Sequence, residues 1–185
     1  MDVPLKHVIG TVALIGLVIA VGLAYTVITS YIEAEAARKQ LEEITEFVSL
    51  NLVEIISLVN FANYTGNIQM KIINLPADLG GKAYLIRLVN ETGQECQVQA
   101  QLVTRNDVSA KSPIPLSSSE AKIKLITDSE GTLKVGEGEI KQIFYSGTVY
   151  GGDHDIVVWA KKVYSTEEAE VSTWAGIGLW KTMGG

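Results

Sequence analysis

Between Val8 and Ile32 the chain carries no charged side chain, and from Leu23 to Asn60 it contains neither glycine nor proline. A helix of ~20 residues crosses the ~30 Å hydrocarbon layer of a membrane, so the first run is long enough to span it. A cleavable secretory signal would have a shorter apolar run closed by a small-residue cleavage site. Here the helical pattern continues straight through the end of the run, which predicts a retained helix over 8–61. If that helix is unbroken it is ~80 Å long, far more than a membrane needs.

Lys6 precedes the apolar run, and Glu33, Glu35, Arg38 and Lys39 follow it. Positive charge on the short N-terminal segment 1–7 favours N-terminus in and C-terminus out. Within the run, Gly16, Ala20 and Ala24 recur every four residues, a small-residue stripe along which another helix could approach closely. The charged interval Glu33–Glu43 offers local pairs such as Glu35 with Lys39, each contributing a few tenths of a kcal/mol.

After this interval the helix turns apolar again. On a helical wheel Ile44, Val48, Leu52, Ile55 and Val59 fall on one side. Phe47, Leu50, Leu58 and Phe61 extend the apolar arc one way, and Ile56 widens it the other. Thr45, Glu46, Ser49, Ser57 and Asn60 share the opposite side, with Val53 an apolar exception there. Asn51 and Glu54 are polar exceptions within the apolar arc and are expected to find partners in a neighbouring helix or in water. The arc exceeds half the circumference, against ~100° for an ordinary surface helix. A dimeric coiled coil would hide only a narrow seam of it. The pattern therefore predicts contacts on two sides at once. Ile44, Phe47, Val48, Leu52, Ile55, Ile56 and Val59 are the candidate helix-packing residues. An aspartate at Leu52 or Ile55 is expected to destroy that packing while leaving the following domain folded.

After a break at residues 62–67 the periodicity changes. Short β-type runs such as "AYLIRLVN", "CQVQAQLVT", "DIVVWAKKVY" and "EVSTWAGIGLW" recur at hairpin spacing through 68–185. "LPADLGG", "KSPIPLSSS" and "YGGDHD" read as loops. The fold class expected is α+β, a long N-terminal helix followed by an antiparallel sandwich of immunoglobulin-like type. In the last strand, Val171, Thr173, Ala175, Ile177 and Leu179 share the face that suits a sandwich core. Trp174 and Trp180 lie on the other face, which could pack on the N-terminal helix or on another subunit, burial inside the same chain being the commoner fate of a tryptophan.

A formal net charge of −6 disfavours a nucleic-acid partner, because phosphates demand a basic face. The single cysteine, Cys96, excludes an internal disulfide and a multi-cysteine metal site. Neither phosphate-binding nor dinucleotide nor nucleophile-elbow motifs occur. "GGDHD" reads as a turn rather than a cation site. No catalytic residue, cofactor or metal is expected, and the sequence points to no enzyme. The sequons Asn63-Tyr64-Thr65 and Asn90-Glu91-Thr92 are candidate N-glycosylation sites for a domain outside the cell.

The short polar start, the apolar "VIGTVALIGLVIAVGLAYTVITSYI", the helix continuing to Phe61 and the β-domain after it together resemble the archaeal type IV pilin family over the whole chain. The resemblance implies a subunit that waits in the cytoplasmic membrane through its N-terminal helix. A secretion ATPase and a membrane platform would extract it into a homopolymer at the cell surface. Bundled helices would form the filament core and β-domains its outer, adhesive sheath. Lys6-His7-Val8 departs from the charged-then-small pair that precedes the apolar stretch in that family. The lack of an acidic residue between Val3 and Ile32 sets the chain apart from the bacterial branch. The layout is also similar to that of membrane-anchored, stator-type accessory proteins of the archaellum, which contact the surface layer, and to archaellins. A surface receptor held by one span would need a pocket with converging polar groups, which the sequence does not reveal.

Overall fold

The computed structural model describes residues 3–61, 68–90, 96–115, 122–127, 129–135, 141–165 and 170–182. The expected linker 62–67 lies outside them. Among the described residues a single helix, α1 (Val3–Phe61), precedes ten strands. These are β1 (Ile68–Ile72), β2 (Tyr84–Val89), β3 (Gln97–Leu102), β4 (Ser109–Pro113), β5 (Lys122–Leu125), β6 (Gly131–Val135), β7 (Lys141–Tyr145), β8 (Thr148–Tyr150), β9 (Ile156–Ser165) and β10 (Glu170–Thr182). One sheet has the order β1-β9-β10-β7-β6, with β5 also paired to β10, and the other has the order β4-β3-β2-β8. Every described pairing is antiparallel except β5 with β10. The chain is thus α+β, a long apolar N-terminal helix followed by mainly antiparallel sheets.

The strands depart from the sequence reading at particular places. "KSPIPLSSS" reads as a loop, yet its first residues complete β4, which pairs with β3 from Gln101↔Ser109 to Gln97↔Pro113. β4 is the edge of its sheet and Pro113 is its last residue, so a residue without an N–H costs no ladder bond there. "EIKQIFYSGTVY" is divided at Ser146-Gly147 into β7 in one sheet and β8 in the other. The Ser146 hydroxyl oxygen accepts a hydrogen bond from the Thr148 N–H at 3.3 Å within that break.

The chain divides into two compact units, Met1–Ala37 and Arg38–Gly185. The globular unit therefore begins inside α1 and not after residue 67. Leu41, Val48, Leu52, Ile55, Ile56 and Val59 are buried in it, Leu52 completely. Polar ties fix the helix against the strands. Ser49 Oγ donates to the Pro113 carbonyl at 2.7 Å, Thr173 Oγ1 donates to Asn60 Oδ1 at 2.6 Å, and Lys162 Nζ donates to the Asn60 carbonyl at 3.3 Å. Residues 38–61 are part of the domain core, not a stalk outside it.

β9 explains why its sequence reads as an unbroken apolar run. Ile156, Val157, Val158, Trp159 and Ala160 are all buried, so both faces of the strand are covered. Val158 and Ala160 lie opposite Ile177 and Ala175, on the face that carries Thr173 and so meets the helix. Val157 and Trp159 join Ile126 and Ile143 in a cluster on the opposite face. Gly176 sits across from Trp159, and a Cβ there would come within 2.9 Å of the indole ring.

In the second sheet Tyr84 is fully buried and its hydroxyl donates to the Pro76 carbonyl at 2.6 Å. Gly151 lies flat against the Tyr84 ring, where any Cβ would collide with it. Burial pushes the Tyr84 phenol up from 10.0 to about 12. A raised folded-state pKa means stability that is fully present below pH 10 and lost as pH rises towards 12. The unfolding free energy of the full chain in detergent should fall by about 2–3 kcal/mol across that window. Tyr84→Phe should flatten this part of the pH curve, at a cost of about 1 kcal/mol at neutral pH for the lost hydrogen bond. Equal alkaline slopes in both proteins would disprove the assignment.

The position of residues 38–61 in the core makes a second prediction. Leu52→Ala should destabilise the globular unit by about 2–5 kcal/mol in denaturant titrations of the full chain. Leu50→Ala, on the uncovered side, should change it by less than about 0.5 kcal/mol. Similar values for the two would contradict a core role for this stretch.

Candidate functional site

The uncharged run is uncovered. Its large side chains, among them Val12, Leu17, Leu23 and Val27, are exposed, and so are Gly16, Ala20 and Ala24. A Cβ on Gly16 would meet nothing within 4 Å. Two hydroxyls in this stretch turn back on the helix. Thr26 Oγ1 donates to the Leu23 carbonyl at 2.8 Å and Thr29 Oγ1 to the Tyr25 carbonyl at 2.9 Å. Such back-bonding satisfies the hydroxyls without water, as a helix in lipid or in a helix bundle requires. The helix is long and apolar enough to cross a membrane.

Within the globular unit, α1 has two apolar faces with different fates. Six of the expected helix-packing residues, Ile44, Val48, Leu52, Ile55, Ile56 and Val59, are buried inside this chain's own core. The sequence reading named them as candidate helix-packing residues and left open which side the folded domain covers. The strands cover them because the covered arc is shifted towards Thr45 and Ser49, which the wheel placed on the solvent side. Both of those residues are buried, with Thr45 Oγ1 donating to the Glu42 carbonyl at 2.9 Å and Ser49 bonded to Pro113. It follows that an aspartate at Leu52 or Ile55 would strike the domain core itself, contrary to the sequence expectation.

The remaining apolar face is open. Phe47, Leu50, Leu58 and Phe61 are 45%, 59%, 53% and 87% exposed. Their spacing, with Glu54 completing the row, makes one stripe along the helix. Glu54 Oε2 accepts a hydrogen bond from Lys71 Nζ of β1 at 2.7 Å, and exposed Ile72 adjoins that lysine. Asn51 is buried, and its Nδ2 donates to the Phe47 carbonyl at 2.7 Å. The two polar exceptions of the wheel thus find partners inside the chain and need none from a neighbour. Beside Phe47 a shallow groove of about 200 Å³ is lined by Glu43, Ile44, Asn74, Leu75 and Pro76.

Trp174 and Trp180 lie on the face of β10 turned away from its helix contact. Thr173, on the other face of β10, makes that contact. Trp174 and Trp180 are half-buried beside the Ile126, Ile143, Val157 and Trp159 cluster. Trp174 Nε1 donates to Ser172 Oγ at 3.2 Å, and Lys124 Nζ lies 5.2 Å from its ring centroid. In "GGDHD", Asp153 Oδ2 accepts from the Tyr150 N–H at 2.8 Å, and Asp155 adopts φ 56° while its carbonyl accepts from the Trp180 N–H. These bonds make it a tight turn between β8 and β9. Burial raises the Cys96 thiol pKa, the opposite of what a reactive thiolate needs. The described residues contain no cluster of His, Cys, Asp and Glu able to hold a metal.

Asn90 is exposed just beyond the end of β2, whereas Asn63 lies outside the described residues. Sequence reasoning missed the outward face of β2, β3 and β8, where Arg87 Nε donates to Gln99 Oε1 at 3.0 Å and Arg87 Nη2 to Gln101 Oε1 at 3.5 Å. The signal was present as alternate glutamines in "CQVQAQL", which period 2 places on one face. No family model, no curated protein and no solved structure matches the chain.

Proposed function

We propose that this chain is the structural subunit of an extracellular filament of the archaeal type IV pilin kind. The observation that carries the reading is the apolar surface left uncovered on α1. The run 8–32 is exposed on every side, and within the globular unit the Phe47, Leu50, Leu58 and Phe61 face is exposed as well. Patches of this size on a protein are covered by lipid or by other protein. A membrane covers the uncharged run before assembly. In the filament, parallel copies of the same helix cover both surfaces. The small-residue stripe Gly16, Ala20 and Ala24 allows close helix approach in that bundle.

The strands then form the outer sheath as an immunoglobulin-like sandwich, the surface through which such a filament adheres. Assembly draws on a secretion ATPase and a membrane platform, and Asn90 and Asn63 carry N-glycans on the outside. The function is structural, not enzymatic.

The test uses positions whose side chains lie outside the domain core. Full-length chain is purified in detergent, the detergent is removed, and the product is viewed by electron microscopy. Filaments of uniform diameter are expected. Phe47→Ser with Leu58→Ser should leave the melting temperature of the globular unit unchanged and abolish or strongly weaken assembly. Each apolar side chain of this size contributes roughly 1.5–3 kcal/mol when buried. The pair should therefore raise the critical concentration by roughly a hundredfold or more. Unimpaired filaments from the double variant, or a detergent-free product that is monomeric in vesicles, would overturn the proposal. The second result would favour an anchored, stator-type component.

A further inference from the structure

The apolar groove of about 200 Å³ beside Phe47 lies between α1 and the segment that leaves β1. Ile44, Phe47, Leu75 and Pro76 supply its apolar walls, and the exposed residues Glu43 and Asn74 its polar rim. Ligand clefts run to roughly 300–1,000 Å³, so the groove is small for a substrate or a cofactor. An apolar cavity of about 150 Å³ takes one benzene ring, which sets the scale of what fits here as a single phenyl side chain.

The chain itself carries such a side chain. Phe61, the last residue of α1, is the most exposed large apolar side chain among the described residues. It shares a stripe with Phe47 but lies fourteen positions further along the helix, about 21 Å away. Phe61 therefore cannot reach the groove of its own chain and can enter only that of another copy. The charges agree with such a contact. Lys162 Nζ donates to the Asn60 carbonyl at 3.3 Å, which places an ammonium group one residue from Phe61. The rim of the groove presents the Glu43 carboxylate. Opposite charges on knob and groove set the orientation of docking more than its strength. We infer that Phe61 of one copy docks into the Phe47, Leu75 and Pro76 groove of the next copy. The contact rests on the filament reading given above and adds the register of its subunits, a displacement of about 21 Å along α1 between parallel copies. Copies in register bring Phe61 level with Phe61, so neighbours held at one depth in a membrane do not make the contact. It joins different surfaces of the two copies and therefore repeats without closing on itself.

Full-length chain with the photoreactive analogue p-benzoylphenylalanine in place of Phe61 keeps a ring at that position. It is mixed with isotope-labelled wild-type chain, assembled by removing detergent, irradiated, digested with trypsin and read by mass spectrometry. The expected product joins peptide 40–71 of the photoreactive copy to labelled peptide 72–82, which holds Leu75 and Pro76. Filaments made wholly of photoreactive chain should give a ladder running past dimers. Unassembled chain anchored in vesicles should give at least tenfold less product. Should the bulky analogue block assembly, two other chains decide, Phe61→Cys and Pro76→Cys, each with Cys96→Ser. Oxidised filaments of the mixture should contain disulfide-linked dimers that neither chain forms alone. Intact filaments in which position 61 joins other peptides, a ladder that stops at dimers, equal yield in vesicles, or no disulfide from the mixed chains would each overturn the contact and leave the filament reading standing. If wild-type chain forms no filaments, that reading falls and the contact falls with it.

Discussion

A helix that is apolar around more than half its circumference cannot be satisfied by one layer of strands. The rest of this structure follows from that constraint. Strands touch a helix along one side only, so covering Val48, Leu52 and Ile55 leaves Phe47, Leu50, Leu58 and Phe61 uncovered by geometry. The domain core includes the helix because its central strands are apolar on both faces, and the helix covers part of one of them. The helix and the sheets thus complete each other on one side, while the other side stays available.

Polar groups decide how the helix is seated. Apolar contact is nondirectional and would tolerate a slide along the strands. Ser49 on Pro113, and Asn60 on Thr173 and Lys162, are points where a slide would leave buried donors or acceptors unpaired. These contacts lie near the middle and the end of the helical segment, so they set both translation and rotation. The Glu54–Lys71 pair is exposed and contributes little energy. It does keep a carboxylate in the middle of the open stripe partnered, which lowers the cost of covering that stripe.

The charged groups outside the stripe are arranged locally. Arg105 donates to Asp107 at 2.9 Å, and this bond holds the Asp107 carboxyl below its usual range. The outward face of β2, β3 and β8 instead joins its arginine to amides and leaves the positive charge in place.

The sequence by itself determined the long helix, because charge-free length and the 3.6-residue period are properties of neighbouring residues. It determined most strands by alternation, and the turn character of "GGDHD" by its glycines and aspartates. It showed that the apolar arc of α1 is wider than an ordinary surface helix presents. Tertiary structure alone decided which side belongs to the domain core. A wheel ranks residues by angle, and no local signal distinguishes a partner strand of the same chain from a neighbouring subunit, so Ile44, Val48 and Leu52 could not be separated from Phe47. For the same reason β10 showed two faces in sequence, but only packing turned Thr173, and not Trp174, towards the helix. β4 was illegible because a short edge strand ending in proline takes its shape from the hydrogen bonds it exchanges with β3. The groove beside Phe47 joins residues 43–47 and 74–76, which are distant in sequence, and only tertiary packing brings such residues together.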